Sequence, residues 1–405
     1  MPKRAFELIV SGAGPVGLAT AIAARVALGP RARILVCDPL LRRPRRSLLA
    51  YALSAAPRRL LENIGAWRRL GPVQPIERME ITDSELRDIV RQSFLTFEAD
   101  MASGEPLAVM VGHDDLVMAL IETARASSIE FREESISAIA QRGTSVEVTL
   151  SSGETLAAGV LAACDGAQSI VRERAKIPVV SWDYQREAIV ATVQTERDHE
   201  GCAVQHFLPA GTLALLPLPS RRFSIVWVEK PEDAKRLCEM PKEDFEFELQ
   251  RRAGHAFGKL SVVEGPQHYP LRLQIARRFH AERLVLLGDA AHTTHPLAGQ
   301  GLNLGLRDVG FLMQQFADAA RLGLDIGTAE QLEGYERSRR AETVVTLGTA
   351  DTLFGLFTTP AARALRDAGL GIVDCSTPIK SALMRQAAGE AGELPELLRR
   401  EPVDV

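Results

Sequence analysis

The sequence predicts an α/β protein: a Rossmann-like parallel sheet, interrupted by a β-rich insertion and followed by a C-terminal helical region. Three observations predict it. A short apolar run, Phe6 to Val10, leads through closely spaced glycines into an alanine-rich helix. Two later apolar runs, at 160–164 and 284–287, end in Asp165-Gly166 and Gly288-Asp289, as buried parallel strands do when they enter a turn. Between them, residues 186 to 230 alternate with the two-residue period of half-buried strands.

The elements follow in order. After the first strand, Gly12, Gly14 and Gly17 form GxGxxG. The first glycine permits the tight turn, the second lets the backbone approach a pyrophosphate, and the third lets helix pack on strand. The helix that begins at Pro15 offers free N–H groups and a positive dipole end to that phosphate. Ile34 to Cys37 is the second strand, and Asp38 closes it 21 residues after Gly17. A carboxylate there can accept both ribose hydroxyls of an adenosine. GxGxxG alone is a weak signal; with strand, helix and acid in place it specifies an adenine dinucleotide, without separating FAD from NAD.

Arg42, Arg43, Arg45 and Arg46 surround Pro44 and read as a solvated loop, with an anion clamp as the competing reading. Leu53, Leu60, Leu61 and Ile64 keep helical spacing, and Gly65 stops that helix. Residues 72–100 loosen toward strands, and "HDDLVMALIETARASS" returns to helix. Val146 to Leu150, a turn at Gly153 and a strand from Thr155 form a hairpin, with a separate strand at Val160 to Cys164. A long helical region runs to about 390. The expected division is 1–71, 101–180 and 275–325 for the dinucleotide domain, 72–100 and 181–274 for the β-rich domain, and 326–405 for the helical region.

Composition narrows the class. With 405 residues, a net charge of −4 and 5% aromatics, the chain has neither the basic footprint nor the aromatic platforms of a nucleic-acid binder. Its five cysteines form no CxxC pair, which argues against structural zinc or a disulfide framework and for a reducing compartment. Glu7, Gly12 and Pro15 break the faint likeness of the N-terminus to a signal peptide. No apolar stretch approaches the ~18 residues of a membrane span. The expected location is the cytoplasm, with peripheral membrane association left open.

The segment "GDAAHTTHPLAGQGLNLGLRD", 288–308, is the most informative. His292 and His295 are three apart, a spacing that could chelate a metal on a helix. Pro296 and Gly299 make the segment a loop, so no metal is expected. His292 is read as orienting the loop through a backbone hydrogen bond. His295 is the candidate for proton handling or substrate contact, weighed against a structural role. Asp289 can accept hydrogen bonds from a polyol, and Gly299 and Gly301 let backbone N–H groups approach a flat ring. A helix is expected from Leu302 to about Leu322, with Leu306, Val309, Met313 and Phe316 on one side.

In order, GxGxxG, "ACDGAQSIVR" at 163–172 and the 288–305 segment resemble the single-component FAD-dependent aromatic monooxygenases. "HPLAGQGLNLGLRDV" and "YERSRRAET" narrow the resemblance to the ubiquinone-biosynthesis hydroxylases, over roughly residues 5 to 390. The resemblance implies that Gly12, Ala13, Gly14, Pro15 and Val16 line the FAD pyrophosphate, that Asp38 meets the ribose, and that Asp289 meets the ribitol. It brings Gly299, Gln300, Gly301, Leu302 and Asn303 to the flavin's pyrimidine end, with Gly17, Asp165, Gly288 and Pro296 completing the cofactor set. The implied activity is hydroxylation of a phenolic, polyprenylated substrate through a flavin hydroperoxide, with O2 and NAD(P)H as co-substrates. A biosynthetic-complex contact and a homo-oligomer are compatible with it. No certain catalytic side chain is implied.

Two departures stand out. Leu48 and Leu49 occupy the stretch where the family carries an arginine before "ALS", and His113-Asp114 replace another at the start of the "DL" helix. Competing readings are a same-fold hydroxylase or epoxidase of a soluble secondary metabolite, and a catalytically silent FAD-binding scaffold. Leu213 to Leu218 with Trp227 form a candidate pocket wall, with ordinary sheet core as the equal alternative. Leu353, Phe354, Leu356 and Phe357 are available to a lipid tail, against core packing of a terminal helix.

Overall fold

The first strand and helix form because the glycine turn joins an apolar strand to a run rich in alanine and leucine, which are among the strongest helix formers. The computed structural model describes residues 5–41, 47–83, 93–99, 105–208, 211–294, 300–358, 384–386, 388–390 and 392–400. β1 (Phe6–Ser11) is buried along almost its whole length and enters α1 (Pro15–Leu28). Pro15 suits the first helical turn, and Gly29, at φ 81°, ends the helix. β2 (Ile34–Cys37) returns parallel to β1, with Leu8 opposite Ile34. β3 (Ala50–Leu53), α2 (Ala55–Asn63), β4 (Gln74–Ile76), β5 (Arg78–Asp83), β6 (Ser93–Glu98), β7 (Ala108–Gly112) and α3 (His113–Ala126) follow.

β8 (Glu130–Arg132), β9 (Ile136–Arg142), β10 (Ser145–Leu150) and β11 (Thr155–Ala163) complete the first half, closed by α4 (Ile170–Arg174). The second half runs β12 (Val179–Thr195), β13 (Cys202–Leu208), β14 (Gly211–Leu218), β15 (Arg222–Glu229), α5 (Pro231–Glu239), α6 (Lys242–Ala253) and β16 (Leu260–Ala276). It ends with β17 (His280–Ala281), β18 (Leu284–Leu286), β19 (His292–Thr293), α7 (Gln300–Arg321) and α8 (Ala329–Thr358).

Three sheets result. The first has the order β17-β18-β11-β1-β2-β8, with β10 on β11 and β9 on β10. Its β18, β11, β1, β2 and β8 are parallel, and the inner strands β18, β11, β1 and β2 are largely apolar because both of their faces are covered. The second is β19-β16-β12-β15-β14-β13-β5-β6, and the third is β3-β7-β4. In the second sheet, alternation assigns the faces. Ile189, Leu213, Leu215 and Trp227 bury against Leu237, Phe245 and Leu249 of α5 and α6. Ala203, Leu216 and Leu218 emerge opposite and meet Ala50, Ala52 and Met110 of the third sheet. That third sheet turns Tyr51, Leu53 and Val111 toward the core of the first.

Several expectations are corrected. The hairpin strand from Thr155 and the buried strand at Val160 are one strand, β11, which pairs with β10 at its start and with β1 and β18 farther along. Two helices, α5 and α6, lie inside the stretch expected to be β-rich. β4 joins the third sheet, not the second. α7 begins at Gln300, two residues before the expected Leu302, so Gln300, Gly301 and Leu302 are its first turn. Trp227 is core: its indole donates to Glu229 at 3.0 Å and Arg252 stacks on its ring, so with Leu213 and Leu215 it walls no pocket. No helix among the described residues is long and apolar enough to cross a membrane. The side chains of Leu353, Phe354, Leu356 and Phe357, and the arginines at 42–46, lie outside the described residues.

Candidate cofactor site

The glycine loop is shaped by different constraints at each glycine. Gly12 has φ 104°, and a Cβ there would run into the carbonyl of Cys164 at the end of β11. At Gly17 a Cβ would collide with the Gly12 carbonyl oxygen. Both are demanded by the protein's own backbone. Gly14 is not: it has an extended conformation, caps α1 without a side chain, and no atom lies within 4 Å of where its Cβ would be. A bare backbone facing open space at a helix start, with no acid in the first turn, is the form that admits a pyrophosphate.

Asp38 secures this loop. Its Oδ2 accepts the Ala13 N–H at 2.8 Å and its Oδ1 the Leu40 N–H at 2.7 Å. Each oxygen keeps a lone pair for a ribose hydroxyl. Asp38→Ala is expected to weaken FAD binding by about 1.5–3 kcal/mol, roughly 10- to 100-fold. Fluorescence titration of the apoprotein with FAD measures this, and unchanged affinity would remove Asp38 from the site.

The third motif is brought against the first through glycine. Gly305 of α7 packs so closely that a Cβ would lie 2.7 Å from Val16 Cγ2, and Gly288 fits beneath the same side chain at φ 57°. The Gly288-Asp289 turn is a short 3-10 turn, not a strand end. Asp289 is open to solvent, and no hydrogen bond holds its carboxylate among the described residues. Yet crowding by surrounding protein raises its pKa, with His292 opposing.

His292 corrects its expectation. Its partner is a carboxylate, not the backbone: Nε2 lies 2.7 Å from Asp308 Oδ2, and both residues are 0% exposed. Asp308 also accepts the Gly288 N–H at 3.0 Å and Arg339 Nε at 2.8 Å. Burial pushes the Asp308 carboxyl up, but His292 and Arg339 outweigh it and hold the pKa below the usual range. Arg339 pairs in turn with Glu342, which pairs with Arg307. This network was missed in the sequence, although both residues lay within quoted motifs. Arg172 was missed too. It donates to Ala290 O and Ala167 O, both at 2.8 Å, and so ties the second motif to the third.

Other expected site residues have local duties. Asp165 accepts from Ser169 Oγ and the Val171 N–H, organising the entry to α4. Asn303 clamps α7 to the end of β3: its Oδ1 accepts the Ser54 N–H at 3.1 Å and its Nδ2 donates to Ala52 O at 2.8 Å. Its side chain is therefore spent on protein, leaving only its backbone for a ring. His295, Pro296 and Gly299 lie outside the described residues. Leu48 is buried and lies against Gly265 and Val190 of the second sheet. Among the described residues no group of three or more His, Cys, Asp or Glu is placed to hold a metal ion.

The FAD binding domain family model matches residues 6–347. The chain is 39% identical over 360 residues to the ubiquinone hydroxylase UbiL of Rhodospirillum rubrum, covering 87% of this chain and 82% of that one. It is 30% identical to the mitochondrial ubiquinone biosynthesis monooxygenase COQ6 of Danio rerio, over 95% of this chain and 90% of that one. Its fold is similar to that of p-nitrophenol 4-monooxygenase PnpA from Pseudomonas putida, with a TM-score of 0.76, 20% identity and coverage of 95% and 98%.

Proposed function

The chain belongs to the FAD binding domain family, and from that premise we propose that it is an FAD-dependent monooxygenase that hydroxylates a polyprenylated phenol in ubiquinone biosynthesis. The observation that carries this reading is the 39% identity to a ubiquinone hydroxylase over 360 residues, 87% of the chain. FAD supplies the redox chemistry, taking electrons from NAD(P)H and activating oxygen.

The chain's own residues would bind, orient and shelter. Gly12 to Gly17 and the start of α1 would hold the pyrophosphate, Asp38 the ribose and Asp289 the ribitol. The first turn of α7, Gln300 to Asn303, would point its positive end at the flavin and favour negative charge there. No side chain here is required to abstract a proton for an electron-rich phenol to react. A lipid-tailed substrate would be met at a membrane surface, so we also propose peripheral association there.

The test is a flavin spectrum of the purified protein, then turnover with a prenylated phenol. One NAD(P)H and one O2 consumed per hydroxylated product are expected. Turnover of small phenols alone would favour a soluble secondary metabolite as substrate. Bound FAD without any turnover would favour a silent scaffold.

A further inference from the structure

The second sheet holds a buried amide for which the fold supplies no partner. Gln205 of β13 is 4% exposed, and its side chain makes no hydrogen bond among the described residues. Its neighbours explain why. Across the sheet it lies between Ile81 of β5 and Ala214 of β14, and along its own strand Ala203 and Phe207 flank it on the same face. None of these side chains can pair with an amide. His206, the next residue, shows the contrast: it turns to the opposite face, where Thr82 Oγ1 lies 2.7 Å from its Nδ1. An unpaired buried amide costs stability, so its presence here asks for a ligand.

The face that carries Gln205 is open at its centre. Its row continues through Ala214 of β14 and Val226 of β15, the two central strands, to Val190 of β12. Ala214 and Val226 are only half-buried, whereas Leu213, Leu215, Ile225 and Trp227, which alternate with them, are sealed on the side of α5 and α6. Beyond Val190 the row is bounded at Gly265, where Leu48 packs. On the other side Ala203 is covered by Ile76 and Met110 of the third sheet. Ala52 of that sheet gives its carbonyl to the Asn303 amide, so the third sheet joins this face to the first turn of α7, the helix start assigned to the flavin. Ala214, Val226 and Val190 thus line an apolar recess with the Gln205 amide at its edge.

We propose that Gln205 sets substrate specificity: its side-chain amide hydrogen-bonds the phenolic hydroxyl of the substrate, while the apolar row beside it takes the hydrocarbon edge of the ring. This deepens the hydroxylase reading above and rests on it. An amide suits the task because it can both donate to a hydroxyl and accept from one. It carries no charge and takes no proton, so it holds the phenol without ionising it. A site built around such a bond rejects a ligand that lacks the hydroxyl, because the amide is then left unpaired.

The test titrates the FAD-loaded protein, without reductant, with a short-chain prenylated phenol and with the matching prenylated benzene, by calorimetry. Gln205→Leu and Gln205→Met should each bind the phenol about 10-fold more weakly, and the benzene no more weakly than the parent does. FAD affinity should be unchanged. The thermal midpoint of the apoprotein should be unchanged or raised, because neither variant buries an unpaired amide. Parent-like phenol affinity in both variants overturns the proposal. So does an equal loss of both ligands, which reports packing alone, and so does a lowered midpoint with loss of FAD, which would make Gln205 a part of the fold. If the parent itself binds neither ligand, the polyprenylated-phenol reading fails and this proposal falls with it, a result visible before any variant is made.

Discussion

Asp308→Ala is expected to destabilise the protein by about 3–5 kcal/mol, read as a lowered midpoint in urea unfolding. The size follows from what the carboxylate holds. It sits on α7 and takes hydrogen bonds from the Gly288 turn, from His292 on β19 and from Arg339 on α8. Without it, the Arg339 guanidinium remains 0% exposed with Glu342 as its remaining ion-pair partner among the described residues, and its Nη2 already lacks a hydrogen-bond partner. An uncompensated buried cation is the costly outcome, and the Gly288 N–H would be stranded as well. Asp308→Asn keeps the shape and one acceptor oxygen, so its loss should be smaller. Acid gives a second reading. A carboxyl with a depressed folded pKa contributes stability in full above its unfolded pKa, and that contribution disappears as pH falls through the folded value. The asparagine variant should have a shallower loss of stability on the acid side. Parent-like midpoints for both variants would show that the network carries no net stability.

The parts of this site that could be read from the sequence are those set by local backbone geometry. GxGxxG, the acid closing β2 and the apolar strands at β1, β11 and β18 depend on neighbours in the chain, so spacing alone reveals them. The Asp308 network depends on contacts between α7 and α8, and reading motifs as cofactor contacts hid it. A signal was present nonetheless. Leu304, Asp308 and Leu312 fall four apart on the buried stripe of α7, and Tyr335, Arg339 and Thr343 do the same on α8. A charged residue on an apolar stripe asks for a buried partner, and here the two stripes supply each other. α5 and α6 were illegible for another reason. Only Ala234 and Leu237 of α5 are buried, too few to establish a helical period amid the charges. Asn303 was read as a cofactor contact because its motif is, whereas its side chain completes the β3–α7 clamp.

Gly14→Val is expected to weaken FAD binding roughly 100-fold or more while leaving the fold intact. Its backbone lies at φ −72°, which valine adopts without strain, and no protein atom stands within 4 Å of the new Cβ. The cost to the apoprotein is then about that of a poorer helix cap, ~1 kcal/mol. The side chain would instead fill the space over the free N–H groups of α1, where the pyrophosphate must approach. Gly17→Ala is the contrasting case. Its single methyl group would collide with the Gly12 carbonyl and press on Cys164, so the strand–helix packing must shift and stability should fall by more than about 3 kcal/mol. Two substitutions three residues apart in one motif thus separate binding from folding. The first should lose flavin and keep the thermal midpoint of the parent apoprotein; the second should fall below that midpoint whether or not flavin is supplied. Parent-like FAD affinity in Gly14→Val would move the pyrophosphate away from α1, and the roles assigned to Ala13, Pro15 and Val16 would go with it.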